Sequence, residues 1–151
     1  MHPQRLSVQD FPQAYAAIAG VERYIQECGL EKPLIELIKL RASQINGCAF
    51  CVDMHTHDAR RGGETEQRLY LVSAWRESPL FNDRERAALF WTECLTRLPE
   101  QGAPDEAYAA MAAVFTRRET ADVTTLIGLI NLWNRIGVGF RLAHPVRRPS
   151  A

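Results

Sequence analysis

The sequence predicts an all-α single domain of about six or seven helices. Apolar residues recur at steps of three and four along most of the chain. No segment alternates with period two over a useful length, so strands are not expected. Capping patterns and Gly or Pro stops divide the chain into helix-sized pieces.

Taken in order, residues 1–9 read as a loose arm. Asp10 followed by Gln13 resembles a capping box, with Pro12 tolerated in the first turn. Ala14, Ile18, Val21 and Ile25 then mark a first helix, closed by Gly29. Pro33 opens a second helix whose apolar residues (Leu34, Ile35, Leu37, Ile38, Leu40, Ala42 and Ile45) cover almost its whole circumference, as in a buried helix. Asn46-Gly47 reads as a turn, and a third helix follows from Cys48 to a stop at Gly62-Gly63. A fourth helix is expected from Thr65 to Ser78-Pro79, with Leu69, Val72 and Trp75 on one side. Asn82 and Glu85 form a capping box for a fifth helix, which carries Ala87, Trp91, Cys94, Leu95 and Leu98. Residues 98–104 read as a loop. Tyr108, Met111, Ala112 and Phe115 give a shorter sixth helix. Thr116 and Glu119 cap the last one. Its two apolar faces, Val123/Leu126/Ile127/Ile130/Asn134/Gly137 and Leu129/Leu132/Ile136/Phe140, predict packing against the core and against another subunit. Gly128, Gly137 and Gly139 each cost that helix about 1 kcal/mol relative to Ala, which close helix approach would offset. Residues 145–151 read as a frayed tail.

The chain has 151 residues, enough for one domain with a substantial core, here 1–151. Its 18 basic and 18 acidic residues balance, so charge gives no reason to expect nucleic acid or an anionic membrane as partner. The stretch from Met1 to Gly20 has no continuous apolar run and does not read as a signal peptide or a membrane span, which makes the cytoplasm the expected location. The four cysteines, Cys28, Cys48, Cys51 and Cys94, are too few for a disulfide-stapled secreted domain. Cys28 and Cys94 read as small buried residues.

Cys48-x-x-Cys51-x-x-x-His55 carries the chemistry. On a helix these three side chains share one stripe with Val52 and Ala59, while Asp53, His57, Arg60 and Arg61 lie opposite. His57 is therefore read as a surface residue. In the first turn of a helix, backbone N–H groups stabilise a thiolate, and His55 stands one turn beyond Cys51 to accept its proton. Haem attachment fails, because Val52 and not His follows the second cysteine. A thioredoxin-like site needs a preceding strand. A zinc site needs a fourth ligand from Cys28, Cys94, His57 or Glu36, none of which comes with a paired partner. A dithiol/disulfide centre is the remaining reading. Cys51, closest in phase to His55, would attack a peroxide or disulfide, pass through a sulfenic acid and be resolved by Cys48; a reductant would then reopen the disulfide. Glu36, a carboxylate in an apolar helix, is the leading group to orient His55. The plain alternative for Glu36 is solvent exposure, or pairing with Lys39 or Arg41.

The run from Glu36 through Cys48-Ala49-Phe50-Cys51-Val52-Asp53-Met54-His55 resembles the core of the carboxymuconolactone decarboxylase/AhpD-like superfamily, and more narrowly the alkylhydroperoxidase AhpD-like family. The similarity continues through residues 62–69 and again at Ile130-Asn131-Leu132-Trp133-Asn134-Arg135, with its specific part in 36–69. The resemblance implies an all-helical bundle assembled as a trimer or hexamer. It implies a peroxidase or disulfide-reductase activity in antioxidant defence with no bound cofactor or metal. Carried over by position, Cys51 matches the thiol that becomes sulfenic acid, Cys48 its dithiol partner, and Glu36 and His55 the proton relay. Electrons would come from an external thiol or dithiol reductant of lipoyl type, and a peroxiredoxin is an implied partner. The best-studied relative has a further relay histidine between its cysteines, where this chain has Ala49-Phe50. Three other readings stand beside the peroxidase: a non-enzymatic redox-sensing or scaffold oligomer, a metal-binding module, and a lactone decarboxylase, for which the superfamily does not depend on a CxxC.

Overall fold

The computed structural model describes residues 3–146 and contains, among them, eight α-helices and two short 3-10 turns but no strand. The helices are α1 (Pro12–Glu27), α2 (Lys32–Ile45), α3 (Ala49–Arg61), α4 (Glu66–Leu71), α5 (Asp83–Thr96), α6 (Leu98–Gln101), α7 (Asp105–Val114) and α8 (Arg117–Phe140). No helix among the described residues is long and apolar enough to cross a membrane.

The expected capping boxes at Asn82/Glu85 and Thr116/Glu119 form, opening α5 and α8. The one expected at Asp10 does not. Ser7 stands three residues before Asp10 and forms the box with it instead. The Asp10 carboxylate accepts from the Ser7 N–H at 2.7 Å and its hydroxyl at 3.0 Å, closing a 3-10 turn over Val8–Asp10. α1 then starts on Pro12 without a side-chain cap. The arm is therefore not loose from Arg5 onward: the Arg5 N–H donates to the Phe140 carbonyl at 2.8 Å, tying it to the end of α8. The tail reading for 147–151 lies outside the described residues.

Two further expectations are corrected. The fourth helix stops at Leu71 and tightens into a 3-10 turn over Val72–Ala74. Its buried residues Leu69, Val72 and Trp75 are spaced by three, the period of the tighter helix. The expected loop 98–104 contains α6, with Pro99 in its first turn, where a missing N–H costs nothing.

α2 is the central element, packing on α3, α5 and α8. Its Ile35 and Ile38 enter one apolar cluster with Ile25, Met111, Leu126 and Ile127. Its Leu37 and Leu40 enter a second with Leu69, Val72, Trp75 and Leu89. A helix shared by two cores has no solvent face, which explains its all-round apolar sequence. α1 is more peripheral: Ile25 is buried, Ile18 half-buried, and Ala14 and Val21 are exposed. Cys94 is buried in the first cluster and its burial raises the thiol pKa, as befits a structural residue; Cys28 is half-buried at the end of α1.

Candidate active site

The site forms where α2 ends and α3 begins. Gly47 turns the chain at φ +65°, a conformation that favours glycine. Cys48 then takes the N-cap position of α3, just outside the first turn in which it was expected. Its Sγ accepts from the Cys51 N–H at 3.3 Å. Cys48 and Cys51 are joined as a disulfide, with Cα atoms 5.3 Å apart.

A polar ladder holds this junction against α8. The Asn46 side chain donates to the Asn131 and Asn134 Oδ1 atoms at 3.0 and 2.9 Å, and Asn134 donates to the buried Ser43 Oγ at 2.9 Å. Sequence reasoning gave these residues no such role. The available signal was Asn134 itself, a polar residue on the apolar face of α8. One turn further along, a Cβ on Gly137 would lie 2.7 Å from Cys48 Sγ and 3.3 Å from Cys51 Sγ. Gly137 thus makes the close approach expected of the α8 glycines, whereas Gly128 and Gly139 face open space. Gly137→Ala is expected to lower the stability of the oxidised protein, because overpacking of about 1–3 kcal/mol outweighs a helix-propensity gain of about 1 kcal/mol. Gly128→Ala keeps only the gain and raises it. Thermal unfolding of both variants checks the contrast.

The four sequence-predicted site residues come together. Glu36 reaches across from α2, and its Oε2 lies 2.9 Å from His55 Nδ1. The contact is direct. A carboxylate at Nδ1 takes that nitrogen's proton as donor, leaving Nε2 as the basic nitrogen. The plain alternatives for Glu36 are not realised: Lys39 pairs with Glu22 and Arg41 with Glu93. His55 is 4% exposed, on the same face as buried Cys51 and Ala59, while His57 is half-buried and lies outside the cavity lining.

A cavity of about 400 Å³ opens onto this face. Cys51, His55 and Glu36 line one side; Tyr15, Phe50, Met54, Trp133 and Leu142 give it apolar and aromatic walls. Cys51 reaches the cavity and Cys48 does not line it. Glu22 and Lys39 also line it, the lysine 3% exposed. Burial pulls the Glu22 carboxyl upward, but its hydrogen bond and charge interaction with Lys39 outweigh that and hold its pKa below the ordinary value. Among the described residues, the side chains that could together hold a cation are Glu36, His55 and Asp58, whose donor atoms lie within 4.8 Å of one another. That set includes no cysteine of the zinc reading: Cys48 and Cys51 are joined in the disulfide, and Cys28 and Cys94 stand apart as free thiols.

The comparisons with known proteins agree with this architecture. The sequence model of the Carboxymuconolactone decarboxylase family matches residues 9–93. The uncharacterized protein YdfG of Bacillus subtilis is 40% identical over 136 residues, covering 89% of this chain and 92% of that protein. YnjA of Escherichia coli, also uncharacterized, is 34% identical over 103 residues, or 68% of this chain and 56% of that one. A crystal structure from Agrobacterium tumefaciens, of a protein of unknown function described as a candidate antioxidant defence protein AhpD, superposes with a TM-score of 0.93. It shares 49% identity and covers 96% of this chain and all of that one. The debrominase Bmp8 shares the fold alone, at 19% identity and a TM-score of 0.83 over 91% of this chain and 74% of its own. The chain belongs to the Carboxymuconolactone decarboxylase family, as an AhpD-like member.

Proposed function

We propose that this protein is a thiol-dependent hydroperoxide reductase working through the Cys48–Cys51 dithiol. The observation that carries the reading is the juxtaposition of Cys51 and the Glu36-held His55 on one cavity wall, with Cys48 in disulfide reach. In the reduced protein, His55 Nε2 takes the Cys51 proton, and Glu36 stabilises the imidazolium. The thiolate attacks the outer oxygen of ROOH. An S–O bond forms, the O–O bond breaks, and ROH leaves after protonation, giving Cys51 sulfenic acid. Cys48 attacks that sulfur, expelling water and forming the disulfide. An external dithiol of lipoyl type supplies two electrons and two protons to reopen it.

The apolar and aromatic walls favour organic hydroperoxides over hydrogen peroxide. On α8, exposed Leu132 is the member of the expected second face left for a trimer or hexamer contact, since Leu129 lies in the first core and Phe140 packs on Phe11. A peroxiredoxin is a candidate downstream partner.

The test is the thiolate pKa of Cys51 and its rate of oxidation by cumene hydroperoxide, in wild type and His55→Ala. A pKa well below the free-thiol value of about 8.5, with a loss of roughly 100-fold in rate on removing His55, is the expected result. Glu36→Gln should lose about 10-fold, since it keeps a hydrogen-bonding side chain but not the charge. An ordinary pKa and sluggish oxidation, with ready disulfide formation, would favour a redox sensor instead.

A further inference from the structure

The thiol chemistry leaves one need unmet. In-line displacement at a peroxide expels the leaving oxygen on the side away from sulfur, whereas His55 is placed to serve the thiol. An alkoxide is a strong base and a poor leaving group unless it is protonated or faces a cation. Lys39 is the only Lys or Arg among the cavity-lining residues. It stands one turn after Glu36 on α2 and is 3% exposed, with its ammonium paired to Glu22 of α1. Gln26 Nε2 donates to the same Glu22 oxygen at 3.1 Å, so the carboxylate that holds the ammonium is itself held. Buried ion pairs add little net stability compared with apolar residues of similar size. One kept in the wall of a reaction cavity is therefore better explained by chemistry there.

We propose that Lys39, oriented by Glu22 and Gln26, is the general acid that protonates the leaving alkoxide during peroxide reduction. This rests on the thiol-peroxidase reading. The Cys51 thiolate forms the S–O bond, the O–O electron pair departs on RO, and the Lys39 ammonium gives that oxygen its proton. The products are ROH, Cys51 sulfenic acid and neutral Lys39. The proton that His55 took from the thiol then returns Lys39 to its charged form through the solvent of the cavity, so the overall step is Cys51–SH plus ROOH giving Cys51–SOH plus ROH. Glu22 and Gln26 are positioning residues.

The test compares two oxidants in single-turnover oxidation of the reduced protein. tert-Butyl hydroperoxide expels a strongly basic alkoxide; peracetic acid expels a carboxylate that needs no proton. Lys39→Met is expected to lose about 100-fold with the former, within the usual range for a general acid, and less than about 3-fold with the latter. A lysine that merely braces α1 against α2 would lose similar factors with both oxidants, or neither, and that result overturns the proposal while leaving the peroxidase reading intact. Wild-type protein inert to both oxidants overturns the peroxidase reading and this proposal with it. Where Lys39→Met does not fold, Glu22→Gln/Lys39→Met removes both charges together and is read by the same ratio.

Discussion

Cys51→Ser is expected to abolish hydroperoxide consumption, by at least about 1000-fold, because no other thiol can replace it as nucleophile. Cys28 is half-buried away from the cavity lining, and Cys94 sits in the apolar core with its thiol pKa raised by burial. Cys94→Ser and His57→Ala should leave turnover nearly unchanged. Cys48→Ser should differ from Cys51→Ser in kind. Serine is a good N-cap, so α3 is kept. The first oxidation of Cys51 then survives, but the sulfenic acid persists and can be trapped with dimedone. The same geometry predicts the direction of reduction. Cys51 faces the cavity, so an incoming dithiol attacks its sulfur. Cys48, at the helix N-terminus with the Cys51 N–H directed at its sulfur, leaves as the stabilised thiolate. In oxidised Cys48→Ser a small monothiol should condense with the Cys51 sulfenic acid, losing water, and the mixed disulfide on Cys51 should be seen by mass spectrometry. Full turnover in Cys51→Ser would remove the peroxidase assignment outright.

What the sequence disclosed and what it hid follow from the range of the interactions involved. Capping boxes are local, and those at Asn82/Glu85 and Thr116/Glu119 could be read directly. The motif stripe was equally legible, because helical phase alone puts Cys51 and His55 on one face. Even the Glu36–His55 contact could be anticipated, since a lone carboxylate in an apolar helix needs a partner and the next helix offers one. The Asp10 box was misplaced because two overlapping patterns, Ser7-x-x-Asp10 and Asp10-x-x-Gln13, competed, and only one can form. Partners from distant elements were not legible. Lys39 and Arg41 each had several carboxylates within plausible reach along the chain, and only the packing of α1 and α5 selects Glu22 and Glu93. Gly137 was flagged as one of three costly glycines, and helical phase alone sets it on the Val123–Asn134 face, opposite Gly128 and Gly139; that this face meets the disulfide depends on how α8 packs on α3.

Glu93 is where such a hidden partnership should matter most for stability. Glu93 is 5% exposed and gathers three side chains, one from α2 and two from the segment after the Val72–Ala74 turn, around α5. Oε1 accepts from Arg41 Nε at 2.8 Å and from Trp75 Nε1 at 2.9 Å; Oε2 accepts from Arg76 Nη2 at 2.9 Å. Trp75 belongs to the second apolar cluster, so the network braces that core. Removing the carboxylate leaves Arg41 and the Trp75 N–H buried without their acceptor. Glu93→Ala should therefore cost about 3–5 kcal/mol, the range for breaking a buried charge pair from one side. For a domain of this size that corresponds to a drop of roughly 10 °C or more in Tm. Glu93→Gln keeps an acceptor and should cost less, about 1–3 kcal/mol. Burial pushes the Glu93 carboxyl upward, but the hydrogen bonds from Trp75 and Arg41 prevail, so its pKa in the folded protein lies below the ordinary 4.5. The stabilisation it provides is therefore complete above that ordinary value and is lost as the pH falls through the lower, folded-state value. Wild-type unfolding free energy should decline on acidification below about pH 4.5, and Glu93→Gln, with no proton to gain there, should decline less steeply. Equal slopes in the two proteins would assign the acid sensitivity to other carboxylates.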